Sequence, residues 1–124
     1  MQAQENEQQK IWRTLAELFF LDNEPQDEDF DYAAGLLKDA GWDRNITRRM
    51  LVECIAPVAG ANQGHLLWPV IGEWAGFDSA DLFQKIQKRM LSREIRPKWR
   101  YLFSDWYCER MLKTLGIDRL INRL

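Results

Sequence analysis

Apolar residues recur at helical spacing in stretch after stretch of this chain, and the stretches are punctuated by glycine or proline. That pattern leaves little room for anything but an all-α fold. Ile11, Leu15, Leu18 and Phe19 fall at i, i+4, i+7 and i+8, with Trp12 alongside, so a first helix is expected from about Glu5 to Phe20. Pro25 interrupts. Asp27 or Glu28 opens a second helix, acidic in its first turn where the helix dipole favours negative charge. Its apolar face is Phe30, Ala33, Ala34 and Leu37, and Gly41 closes it. Asp43 is a natural N-cap for a third helix with Ile46, Met50, Leu51 and Cys54 on one side. Pro57 should limit that helix, because an internal proline loses one hydrogen bond and clashes one turn back.

The second half continues in the same way. "AGANQG", 59–64, reads as a loop. A short apolar helix is expected over Leu66 to Trp74, with Pro69 near its first turn and Gly76 at its end. Asp78 caps the next helix, with Asp81 three residues on, and Leu82, Phe83, Ile86 and Met90 form its core face. After Pro97, the residues Trp99, Leu102, Phe103, Trp106 and Met111 should line the inner face of a long helix that ends at Gly116. A last short helix, Ile117 to Asn122, turns Leu120 and Ile121 inward. No period-two alternation rich in β-branched residues competes with this pattern. The expectation is a compact single-domain bundle of six to seven short helices over residues 1–124, with 1–4 as a frayed N-terminus.

Residues 55–77 carry one formal charge, Glu73, and are long enough to span a bilayer. Pro57, Pro69, four glycines, Asn62, Gln63 and His65 break that stretch, so it reads as the buried middle of a soluble fold, away from any membrane. The polar start "MQAQENEQQK" is no signal peptide. Two cysteines, Cys54 and Cys108, sit on helix faces and read as buried, reduced residues of a cytoplasmic protein.

Chemistry is harder to find. One histidine, His65, and no Cys-x-x-Cys or His-Glu-x-x-His leave no metal site, and "GANQG" lacks the lysine and strand of a phosphate loop. No catalytic residue, metal or cofactor is expected. Glu17, Glu53 and Glu73 are the acids within apolar stretches. A buried glutamate can act as a general acid, but it more often pairs with an arginine. Arg13, Arg100 and Arg110 are the candidate partners.

Charge is segregated. Residues 1–43 hold eleven acids and three bases, whereas 44–124 hold eight acids and fourteen bases. "DNEPQDEDFD", 22–31, contains six acids and no base. Such a block is often only a solvated loop and helix start; as a functional surface it would steer a basic partner. Asp22, Glu24, Asp27, Glu28, Asp29 and Asp31 would face that partner, with Phe30 and Tyr32 as aromatic anchors. The stretch from Lys85 to Arg100 holds seven bases and one acid, Glu94. With Trp99 and Tyr101 it is a candidate nucleic-acid surface, although a solvated helix back has the same composition.

Three strings, "WRTLAELFFLDNE" (12–24), "ECIAPVAGAN" (53–62) and "GEWAGFD" (72–78), together with the Trp99–Arg100 pair, resemble the pattern of a family of small bacterial proteins of uncharacterised function. The chain departs from that pattern at "QGHLLWPVI", an insertion-like stretch between the two turns, and at Phe20. The resemblance implies one all-α domain and carries over no catalytic residue. In "GEWAGFD", Gly72 permits close helix approach, Trp74 and Phe77 pack inward, Gly76 ends one helix and Asp78 starts the next, while Glu73 is held by Arg100, Arg13 or backbone amides. In size and style the family is also similar to immunity proteins, which bind and block a cognate secreted or contact-delivered toxin. The leading expectation is therefore a non-catalytic protein that occludes a toxin through the acidic block. The alternatives are nucleic-acid binding or regulation through residues 85–100, and an enzyme using Glu53 or Glu73.

Overall fold

The computed structural model describes residues 6–20, 25–59 and 79–124, and among these residues every regular element is helical. The elements are α1 (Glu7–Phe20), α2 (Asp27–Asp39), α3 (Arg44–Met50), a π-helical turn (Leu51–Ile55), α4 (Ala56–Ala59), α5 (Ser79–Ile95), a 3-10 turn (Lys98–Tyr101), α6 (Leu102–Leu115) and α7 (Ile117–Ile121). Asp22, Glu24 and the whole of Gly72, Glu73, Trp74, Gly76, Phe77 and Asp78 lie outside the described residues.

Local chemistry sets the helix boundaries. At the start of α1, the Gln9 amide donates to Asn6 Oδ1 at 2.8 Å and the Asn6 amide donates to Gln9 Oε1 at 3.2 Å. This reciprocal pair satisfies two amides that have no partner inside the helix. Asp29 does similar work for α2, accepting the Gln26 amide at 2.8 Å. The α2 helix ends as expected at Gly41, whose φ of 79° only glycine adopts cheaply. There the Trp42 amide donates to the Leu37 carbonyl and the Gly41 amide to the Lys38 carbonyl, the two bonds of a Schellman stop. Asp43 caps α3 by accepting the Ile46 amide at 2.8 Å. Gly116, φ 96°, separates α6 from α7.

Pro57 departs from expectation, because the helix runs through it. The cause is the π turn just before it, where the Ala56 amide reaches back to the Leu51 carbonyl, five residues away. Proline has no N–H to offer the Glu53 carbonyl one turn back, and Arg89 supplies the missing donor through Nε at 3.3 Å. The third helix also faces differently. Ile46 is exposed and Met50 only half-buried, whereas Thr47, Leu51, Val52, Cys54 and Ile55 are buried.

One apolar core joins these elements. Helix α1 packs against α2, α4, α5 and the π turn; α6 covers the π turn and α4; α7 closes onto α2 and α3. Trp12 meets Phe83 at 6.3 Å between ring centroids, and Phe19 meets Phe30 edge-on at 6.2 Å. The α2 face of Phe30, Ala33, Ala34 and Leu37 is buried as its spacing predicts. No helix among the described residues is long and apolar enough to cross a membrane.

Candidate functional site

Among the described residues, three places that gather charged or aromatic side chains bear on the expectations from the sequence.

The first is the described half of the acidic block. Asp27 accepts from Arg119 Nη2 at 2.6 Å and more weakly from Arg123 Nη2 at 3.4 Å, and Asp31 accepts from Arg123 Nε at 2.7 Å, so three ion pairs clasp α2 to α7 and the turn after it. The hydrogen bond and charge of Arg119 hold the Asp27 carboxyl below its ordinary pKa. Phe30 is 0% exposed, lying beneath the Arg119 and Arg123 guanidiniums at 4.5 and 5.5 Å. It is therefore a core residue and not an interface anchor, because its ring fills the α2 stripe at the same spacing as Ala33, Ala34 and Leu37. Asp29 is occupied at the α2 cap. Glu28 and Tyr32 remain at the surface, Tyr32 with half its area open.

The second is a polar cluster between the π turn, α5 and α6. Arg93 forms a two-pronged pair with Asp105 at 2.9 and 2.7 Å, and its Nη2 also reaches Glu53 Oε1 at 2.9 Å. Arg89 donates to Ser104 Oγ at 3.0 Å. The Tyr101 ring lies against both guanidiniums, 4.3 Å from Arg93 and 5.2 Å from Arg89, and its hydroxyl meets Ser92 Oγ in a short hydrogen bond. Burial opposes the charge on Arg93, whose side chain is 13% exposed, but Asp105 and Glu53 outweigh it and raise the guanidinium pKa. Burial pushes the neighbouring thiols up, Cys54 to about 11 and Cys108 to about 12, so both are poor nucleophiles at neutral pH. Glu53 thus has an arginine partner, though from α5 and not from the set Arg13, Arg100 and Arg110. Glu17 does pair with Arg13, at 3.3 Å. A cleft of about 510 Å³ opens beside this cluster, with Arg48, Arg49, Lys98 and Glu109 at its sides. Among the described residues no group of three or more His, Cys, Asp or Glu side chains could hold a metal ion.

The third is the corner where α5 passes through the 3-10 turn into α6. Ile95 is 81% exposed, Trp99 71%, Leu102 65%, Trp106 54% and Phe103 53%. This overturns the inward face expected for Trp99, Leu102, Phe103 and Trp106. Helix α6 carries two apolar stripes, and the stripe of Cys108, Met111 and Leu112 takes the core. At 100° per residue, Trp106 then falls on the opposite side of the helix. Phe103 stacks on Tyr107 with centroids 6.4 Å apart and lies 6.1 Å from Trp106, over which Arg110 is set at 5.5 Å. Trp106, Tyr107, Arg110, Met111, Thr114 and Leu115 line a groove of about 550 Å³. Residues 85–100 do not make one basic surface, since Arg89 and Arg93 turn inward and Lys85 pairs with Asp81 at 3.4 Å.

No curated protein and no solved structure matches the chain. A family model matches residues 6–117, a span that includes the polar cluster and the aromatic corner and stops before Arg119 and Arg123. The chain therefore belongs to the family described as the domain of unknown function DUF7079.

Proposed function

We propose that this protein is a non-catalytic binding module that works as an immunity protein does, occluding a cognate toxin in the bacterial cytoplasm. The observation that carries this reading is the exposed aromatic corner of Trp99, Leu102, Phe103 and Trp106. Large apolar side chains grouped at a surface cost solvation free energy unless a partner covers them, and Trp, Tyr, Phe and Arg are the residues enriched where proteins bind each other. The docking face is this corner, in place of the acidic helix expected from the sequence. Glu53, the described one of the two acids in the enzyme alternative, is engaged by Arg93, and Glu17 is paired with Arg13, which argues against the enzyme reading.

The test is co-expression with the product of the neighbouring gene. The account expects a complex that survives purification and a host protected from that product. Changing Trp106 to Ala should release both. Absence of a complex and of protection would contradict the reading.

A further inference from the structure

We infer that the aromatic corner docks an acidic segment of its partner, with an apolar side chain of that segment seated in the groove along α6. The inference rests on the protein-binding reading and adds the chemistry of the partner.

Charge supports it first. Arg110 lines the groove, and Arg96, Lys98, Arg100 and Lys113 flank the corner along the chain; all five are exposed, and none forms an ion pair among the described residues. Between residues 94 and 115 the acids are Glu94, Asp105 and Glu109; Asp105 is held by Arg93 and Glu109 lies 4.0 Å from Arg48. The corner therefore carries net positive charge in a chain whose formal net charge is −2. A positive rim around an apolar centre favours encounter with a negative surface.

Ring geometry decides between the two acidic partners that such a surface could take. A single-stranded nucleic acid stacks its bases on free aromatic faces. Here Phe103 and Tyr107 stack on each other at an interplanar angle of 22°, and Arg110 lies over the Trp106 ring. Each contact takes one face of its ring, and Trp99, 71% exposed, is the corner ring that keeps both faces open. One open ring is no row of stacking platforms, whereas the groove, with its apolar floor and an arginine beside it, suits a side chain. A second copy of this chain fits poorly, because a two-fold contact would set the same positive rim against itself.

Selection from a displayed library of random peptides, with the intact protein as bait, tests the inference. The expected winners are acidic and carry a Leu, Phe or Trp anchor. A synthetic copy of one winner should lose affinity by about thirty-fold with Trp106→Ala and about ten-fold with Lys98→Glu plus Arg110→Glu. All three positions are exposed, and unchanged circular dichroism would confirm folding. Basic or uncharged winners, no winners, or affinity indifferent to the charge reversal would overturn the inference. So would tight binding of a single-stranded oligonucleotide, or a dimer that Trp106→Ala dissolves. If the neighbouring gene's product still binds the charge-reversed protein, only the acidic assignment falls; if it never binds, the protein-binding reading falls as well.

Discussion

Phe30 and Trp106 are both aromatic residues attended by arginine, and the fold treats them in opposite ways. Phe30 is completely buried, and the two guanidiniums over it are anchored to Asp27 and Asp31 of its own helix. Trp106 is 54% exposed, and the arginine over it has no carboxylate partner among the described residues. At the α2–α7 clasp, charge and apolar surface are satisfied within the chain. At the α5–α6 corner both are left over. Asp27, Asp29, Phe30 and Asp31 of the acidic block are therefore part of the architecture, while the stripe of large aromatics in α6 is surface.

Substitutions should separate the two regions. Phe30→Ala empties a filled core position and should cost about 3–5 kcal/mol in denaturant unfolding, whereas Trp106→Ala should stay within about 0.5 kcal/mol of the parent. Equal costs would erase the distinction. Arg93→Met leaves Glu53 and Asp105 facing each other in a partly buried site, and unfolding measurements should register a loss of about 2–4 kcal/mol.

The thiols give a pH test. Their folded pKa values lie above the ordinary 9.0, so the unfolded chain releases these protons first as pH rises. Stability should be unaffected by them below pH 9 and should fall between pH 9 and about 11–12. Replacing both cysteines with alanine should remove that alkaline loss, and native protein at pH 8 should resist thiol reagents until denaturant is added. The smallest effect belongs to Asp27. Its folded pKa is depressed below 3.8, so its contribution is present above that value and fades as pH falls through the folded one. Asp27→Asn should flatten this acid limb slightly, and high salt should mask the difference because the pair is exposed.

What was legible in the sequence was mostly local. Gly41, Asp43 and Gly116 mark helix ends through their own backbone chemistry, and the α2 stripe has only one apolar face to bury. The misreadings came from partners far along the chain. Arg119 and Arg123 pair with acids more than ninety residues away, which no local pattern reveals. Pro57 is tolerated because Arg89, thirty-six residues from Glu53, takes up the carbonyl that the proline leaves without a donor. Helix α6 offered two apolar stripes, and side-chain size favoured the wrong one; the smaller Cys108, with Met111 and Leu112, fits the core. The aromatic corner could have been suspected from its five flanking bases, which are a poor lining for a buried face.

The central claim is that the α5–α6 corner, and not the acidic helix, is the docking face. Affinity for the neighbouring gene's product, measured side by side for Trp106→Ala and for Glu28→Lys combined with Tyr32→Ala, tests it most directly. The account predicts loss of binding with the first and parent-like binding with the second; intact binding with Trp106→Ala and loss with the α2 pair would contradict it.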